Sequence, residues 1–533
     1  MKKEQKRISK RMKELRGKLR QKSRGGNYYY RLTITNGVRK EFALKTANEE
    51  EAIQKAADLD AVYEAPNQEV AFAQINAIKG FSKRAMKLTF AEGWEKYSSH
   101  PDRATPHTVA EQLAYKSTYE EFAAFAAAEK VEASAFYDKN PRYNALREKA
   151  IELALKNLEH PDSPGWKTQM CCMPGVGKIW QWDSCFMALY ALDLPGVIEP
   201  MNNLDNLYLC QREDGFMAMA YIIETRQPAF GELINPPLFA WVEWEYFKRT
   251  GDDSRFERIF PILDKYYLWL KNNRRRTGSG LYFFESPGAS GMDNSPRGGW
   301  PSFQNNGSDV SHIDLICQQL LSARCLADIA QKLDNGKAEF YLAEAGELVK
   351  LINRYHWNEK TGFYYDLFER SRPESYRSLI GNKTAAAFWT LISGAASPEQ
   401  ADALEKHLLN PDEFLTEHPI PAISRDDPNY HASGWYWLGG VWPPMVYMTV
   451  AGLKKYGKLE TARLIARKHL DAMYRTFDEF EPRTIWECYS PEYMCPAERE
   501  EGVLVRKDFV GWGGLGPIAF LSDKELWDGF SEE

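Results

Sequence analysis

The amino-acid sequence predicts a mainly α protein, an (α/α)6 six-hairpin toroid preceded by a small α+β unit and a short helical unit. Three observations predict it. Beyond residue 137, apolar residues recur at helical spacing in about a dozen segments. Those segments are of two kinds, apolar nearly all round or apolar on one face, as the inner and outer helices of a closed ring must be. The loops between them are long and rich in Gly, Trp, Asn, Asp and Arg, the composition of a binding mouth on a helical scaffold.

At 533 residues the chain exceeds one ordinary domain. Residues 1–25 read as a basic arm. Twelve Lys and Arg against two Glu between residues 2 and 24 give about +10, so a net charge of −6 leaves about −16 on the rest. A basic arm suits nucleic acid or another anionic surface, or is a solvated tail; the acidic body suits neither surface. Residues 26–66 form a small ββα unit. Alternation across Tyr28–Thr35 predicts a strand, Asn36-Gly37 a hairpin turn and VRKEFAL the returning strand. The helix after it, TANEEEAIQKAADLDAVY, is capped by Thr46 or Asn48. Residues 67–130 read as helices and linker, with Phe90, Trp94 and Tyr97 on one apolar face.

Helices of the toroid, residues 137–530, are expected near 142–159, 183–192, 198–211, 236–250, 257–274, 311–332, 338–356, 385–395, 398–409, 440–455, 459–475 and 508–521. FERIFPILDKYYLWLKNNR puts Ile259, Ile262, Leu263, Tyr266, Trp269 and Leu270 on one side, an outer-helix pattern. WDSCFMALYAL and PPMVYMTVAGL are apolar nearly all round and suit the inner ring. Short β pieces, GLYFFE and GFYYDLF, decorate the loops.

Four loops concentrate the chemistry: GKIWQWDSCF (177–186), ESPGASGMDNSPRGGWPSFQ (285–304), WYWLGGVWPP (435–444) and TIWECYSPEYMCP (484–496). Several pair Trp with an acid or amide. Indole faces stack on the apolar faces of sugar rings while carboxylates and amides bind hydroxyls, a pairing that a bare helical core does not need.

Five ordered stretches, WQWDSCF, SGMDNSPR, GGVWPPMVYMTVAGLKKYG, IWECYSPE and DFVGWGGLGPIAFL, make residues 137–530 resemble glycoside hydrolase family 63 and its bacterial mannosylglycerate and glucosylglycerate hydrolase relatives. Trehalases are more distant cousins with the same barrel. The resemblance implies an inverting hydrolase acting exo on a small α-glycoside, an α-glucoside or a glucosyl- or mannosylglycerate. It assigns the general acid to Asp293 and the general base to Glu487. Inversion needs two carboxyls about 6.5–9.5 Å apart, one protonating the leaving oxygen and one activating water. The same reading makes Trp180, Gln181, Trp182 and Asp183 line the reacting-sugar subsite, with Asp183 holding hydroxyls or else capping the helix from Ser184. Gln211, Asp214, Asn235 and Trp442 are further substrate-binding candidates, and Tyr436 and Trp512 could stack on a ring. Asp314 is an inner-rim ligand or a buried structural acid. Arg297 binds substrate or another acid, and a glycerate carboxylate could be taken by Arg297, Arg425 or Arg506. Cys488 reads as a packing residue.

Residues 1–128 resemble the arm-type and core-binding domains of phage-type tyrosine recombinases through the short sheet after a basic arm and the LTFAEGWEKY and YKSTYEEFAAF helices. The remainder of the chain has no Arg, His-x-x-Arg and Tyr set, so strand transfer is not implied. DNA contact through residues 1–128 is expected. A second reading of the whole is therefore a DNA-associated fusion protein whose barrel is catalytically inactive. No metal-ligand spacing, P-loop or dinucleotide fingerprint occurs, so no metal and no cofactor is expected. Eight Cys without a CxxC pair, no apolar leader and no run of 18 apolar residues suggest a cytoplasmic protein that does not span a membrane.

Overall fold

The computed structural model describes most of residues 19–56, and residues 142–527 apart from 162–163, 174, 299–308 and 370–376. The chain divides into two compact units, Met1–Val109 and Ala110–Glu533.

In the first unit, β1 (Leu19–Gln21), β2 (Tyr28–Thr33) and β3 (Arg39–Ala43) form an antiparallel sheet in chain order. Tyr30 pairs with Leu19 on one side and Phe42 on the other. The strand β1 lies in what the sequence reads as basic arm, so that stretch does more than trail in solvent. Tyr30, Leu44, Ala52, Ile53 and Ala56 make a small core. Of the two candidate caps, Asn48 caps: its Oδ1 accepts from the Glu51 N–H at 3.1 Å, while the Thr46 hydroxyl bonds the Glu51 carboxylate at 2.6 Å. The Asn36-Gly37 turn and the helical region 67–130 lie outside the described residues.

The second unit is built of helix pairs: α1 (Arg142–Lys156) with α2 (Gln181–Ala191), α3 (Asn202–Tyr208) with α4 (Phe239–Thr250), α5 (Phe256–Asn273) with α6 (Ile313–Leu333), α7 (Ala338–Tyr355) with α8 (Trp389–Ser393), α9 (Pro398–Leu408) with α10 (Pro443–Lys455), and α11 (Leu459–Glu479) with a π-helix at Leu515–Phe520. The second members close a ring. α2 packs on α4, α4 on α6, α6 on α8, α8 on α10, α10 on the π-helix, and the π-helix on α2. Every residue of α2, α8 and the π-helix is buried, whereas α5, α7, α9 and α11 each bury one face. The twofold helix texture of the sequence is therefore the inner and outer ring of an (α/α)6 toroid.

Departures from the expected elements have local causes. The helix expected from 236 starts at Phe239 because Pro236 and Pro237 precede it, and that from 440 starts with Pro443 in its first turn. The segment 385–395 is a 3-10 turn, Ala385–Phe388, running into α8 and stopped by Gly394 at φ 73°. The segment expected as α-helix at 508–521 is wound wider. Pro517 has no N–H, and both Ile518 and Ala519 donate to the Gly514 carbonyl, at 2.9 and 3.1 Å. GFYYDLF contributes the strands Phe363–Tyr364 and Leu367–Glu369, but GLYFFE makes only a single bridge, Arg275 to Tyr282. No helix among the described residues is long and apolar enough to cross a membrane.

Candidate active site

The N-terminal ends of the inner helices carry the four chemistry-rich loops, and their tryptophans hold those ends together. Trp182, in the first turn of α2, has its ring 5.8 Å from Trp512 and 6.5 Å from Trp437. Trp442, which precedes α10, stacks flat on Trp437 at 4.0 Å and meets Trp512 edge-on at 5.7 Å. Gly291, at φ 76°, lies so close to Trp182 that a Cβ there would sit 3.0 Å from the indole. That contact sets the height of the loop bearing Asp293.

Three carboxyls converge on this aromatic floor. Asp293 is partly accessible, and burial together with the charge of Glu487 raises it to about 7. Arg499 and Arg506 act in the opposite direction. Glu487, which is buried, is raised by desolvation. Its Oε1 accepts from the Tyr436 hydroxyl at 3.1 Å and its Oε2 from the Arg506 N–H at 3.3 Å. The Trp512 indole N–H donates to the Glu487 carbonyl at 2.6 Å. Asp183 is buried in the first turn of α2 and raised to about 7, chiefly by desolvation, with the Glu487 charge adding. Gly511 admits it, since a Cβ there would lie 2.7 Å from the Asp183 Oδ1.

The acid loop and the base loop are tied through Asn294, an amide that sequence reasoning misses. Asn294 donates from Nδ2 to the Trp435 carbonyl at 2.9 Å and accepts at Oδ1 from the Trp437 N–H at 2.7 Å. It thus straddles Tyr436, the residue that bonds Glu487. Trp435 and Tyr436 both sit at positive φ, 39° and 62°, a costly backbone that this clamp helps to hold. The only hint in the sequence is the position of Asn294 beside Asp293 in SGMDNSPR.

Residues 177–493, more than half of the 533, match the mannosylglycerate hydrolase MGH1-like glycoside hydrolase domain. The chain belongs to this family. Residues 177–493 are thus a glycoside hydrolase domain. An uncharacterised protein of Borreliella burgdorferi is 27% identical over 326 residues, covering 60% of this chain and 65% of its own length. The mannosylglycerate hydrolase MGH1 of Selaginella moellendorffii is 24% identical over 402 residues, covering 61% of this chain and 79% of its own. Among solved structures, the mannosylglycerate hydrolase of Thermus thermophilus in complex with glucose superposes with a TM-score of 0.57 at 20% identity, over 70% of this chain and 99% of that one. At that identity the likeness shows a shared fold.

Within this glycoside hydrolase the other sequence-singled residues separate into two groups. Trp182, Asp183, Tyr436 and Trp512 join Asp293 and Glu487, with Trp182 and Trp512 packed as floor rather than as free stacking faces, both being nearly buried. Trp442 is a correction: its face is covered by Trp437 and it is buried, so it braces the floor. Gln181 is also structural, fully buried and donating to the Tyr266 hydroxyl at 2.9 Å. Asn235 is buried and donates to the Ala289 carbonyl at 3.3 Å, holding the turn before Asp293. Trp180 packs on Phe230 at the entry to α2. Gln211 and Asp214 serve the loop before α4, through Gln211 to the Ile262 carbonyl at 2.8 Å and Asp214 to Arg212, the Phe216 N–H and the Trp269 indole.

For Arg297 and Asp314 the sequence leaves two readings each, and the structure favours one. Both are buried, and Arg297 forks onto Asp314 at 2.6 and 2.7 Å and onto Asp366 at 2.6 and 2.8 Å. Arg297 is thus paired with two acids, the second of its readings, and Asp314 sits as a buried acid in that pair. Asp366, accepting also from the Ile313 N–H at 2.9 Å, is held below the usual carboxylate range by Arg297. It lies between the two strands of GFYYDLF, a stretch the sequence marks only as a β piece. Arg425 pairs with Glu492 at 2.9 Å. Of the three arginines considered for a carboxylate, only exposed Arg506 remains beside the acids, with Arg499 5.6 Å from the Tyr436 ring as a further cation. Cys488 is buried in the core and the Glu487 charge adds to the burial that raises its thiol, which suits packing.

Proposed function

We propose that Asp293 is the general acid and Glu487 the general base of a single-displacement, inverting hydrolysis of a small α-glycoside. The observation that carries the reading is the electrostatic pairing of two carboxyls drawn from loops nearly two hundred residues apart. The charge of Glu487 adds to the burial that keeps Asp293 protonated up to about 7, the state an acid needs. Tyr436, the Arg506 N–H and the two arginines stabilise the ionised Glu487, the state a base needs. In the step, the Asp293 proton passes to the glycosidic oxygen as its bond to the anomeric carbon breaks. Water attacks the opposite face and gives its proton to Glu487. The site is reset when Glu487 loses and Asp293 regains a proton through solvent. Asp183 holds sugar hydroxyls.

A sugar joined to glycerate is the substrate to test first, because the Selaginella and Thermus relatives are mannosylglycerate hydrolases. Arg506 and Arg499 supply the cations such a carboxylate needs. Anomer-resolved NMR of the released sugar tests the mechanism: inverted product is expected, lost with Asp293→Asn and with Glu487→Gln. Retained configuration, or unimpaired turnover in either variant, sinks it. We further propose a reducing, cytoplasmic setting, supported by the eight free cysteines. DNA contact through residues 1–128 is supported by the charge of the first 24 residues, and a salt-sensitive gel shift of the full chain tests it.

A further inference from the structure

Away from these acids, the inner helices and α7 line a half-open cavity of about 910 Å3 that has no part in the chemistry above. Its walls come from one side of α4 from Trp241 to Arg249, α6 from Leu321 to Asp328, the outer helix α7, Ile392 of α8, α10 from Tyr447 to Lys455, and Phe520 at the end of the π-helix. The volume is ample for a monosaccharide and its substituent. Trp241, Trp244 and Tyr447 give it an aromatic side.

The charges on its wall are unevenly matched. Arg249 pairs with Asp193, Lys454 with Asp523 and Glu525, and Lys248 with Glu245. Arg324 and Lys455 have no ion-pair partner among the described residues. Each donates one hydrogen bond to a carbonyl at the end of α8, Arg324 to Gly394 at 3.2 Å and Lys455 to Ile392 at 3.0 Å. They also converge: the point where a Cβ on Gly394 would sit is 2.6 Å from an Arg324 nitrogen and 3.0 Å from the Lys455 Nζ. Burial and the Arg324 charge push Lys455 down to about 8. Two neighbouring cations, each bonded to a different neutral carbonyl and with the charge of Asp328 acting on both but no ion pair formed, leave donors for an anion.

We propose that this cavity is a second binding site, taking a small anionic sugar whose oxyanion is held between Arg324 and Lys455 while its ring lies along the aromatic side. Carbonyls hold two cations in place without neutralising them, which leaves guanidinium and ammonium donors for a phosphate or carboxylate. The aromatic wall together with Glu245 offers a ring face and a hydroxyl acceptor. Because the site lies away from Asp293 and Glu487, occupancy would be separable from hydrolysis.

Calorimetric titration of the full chain with glucose 6-phosphate, inorganic phosphate, glucuronate and glucose tests this. Saturable binding of glucose 6-phosphate or glucuronate is expected, tighter than that of inorganic phosphate and of glucose, and the preferred sugar tells phosphate from carboxylate recognition. Arg324→Met/Lys455→Met should weaken it by about 100-fold while glycoside hydrolysis persists, which shows that the fold is intact. Asp293→Asn should leave it unchanged. Asp328→Asn, which removes a nearby negative charge, should tighten it a few-fold and does not depend on loss of any contact. No saturable binding of either anionic sugar, equal binding of glucose, or binding unaltered by the double substitution overturns the proposal.

Discussion

Replacing Arg297 by Met removes the one cation from a buried cluster that also holds Asp314 and Asp366. All three side chains are 4% exposed or less, so neither carboxylate gains water when the guanidinium goes. An acid stranded there escapes by taking a proton. For a carboxyl of ordinary pKa near 4, protonation at pH 7 costs about 4 kcal/mol, at about 1.4 kcal/mol per unit. Asp314 adds less, since burial already raises it. The expected loss of stability is therefore about 4 kcal/mol, in line with about 3–5 kcal/mol for breaking a buried ion pair. At pH 5 the same protonation costs about 1.5 kcal/mol. In the native protein Asp366 is depressed, so its contribution is present at neutral pH and is lost as pH falls through its folded value. The gap between variant and parent should accordingly narrow to about 1.5 kcal/mol at pH 5. Urea unfolding followed by tryptophan fluorescence measures this, because all but one of the 16 Trp lie in the unit Ala110–Glu533. A loss below about 1 kcal/mol at pH 7 together with a raised KM would refute the reasoning and return Arg297 to the substrate.

Three other outcomes are expected. Because Asp293 must be protonated to act and is raised to about 7, kcat/KM should fall as pH rises through about 7, and Asp293→Asn should lack that limb along with at least about 1,000-fold of the rate; a pH–rate profile on the best substrate checks both. Tyr436→Phe removes a hydrogen bond to the ionised Glu487, so the acidic limb should move to higher pH and kcat/KM should drop about tenfold, measured in the same profile. Gly291→Ala meets both a positive φ and the Trp182 ring, and should cost about 1–2 kcal/mol in urea while lowering kcat more than it raises KM, because the displaced group is the acid loop.

The helical toroid was legible because burial on one face or on all faces writes a period into the sequence, and the inner helices are the segments that read as apolar all round. The family was legible in five short stretches taken together in their order along the chain. The wide turn at Leu515–Phe520 was not, since a helical period looks the same whether Ala519 bonds four or five residues back. Side-chain roles divided in the same way. Trp442 and Arg297 are residue types that sugar sites use, and both sit in the right loops, yet one is stacked under Trp437 and the other is saturated by Asp314 and Asp366.

Local pattern is enough to mark the helical segments, to tell FERIFPILDKYYLWLKNNR as outer from WDSCFMALYAL and PPMVYMTVAGL as inner, and to find the loops that set acids beside tryptophans. Closure of the ring sets which acids face one another, ties Asn294 to the backbone on both sides of Tyr436, and brings Arg324 and Lys455 together away from those acids. The physical reason is that burial pattern is a property of one segment, whereas a pKa shift or a satisfied guanidinium belongs to residues that closure of the ring brings together from distant parts of the chain.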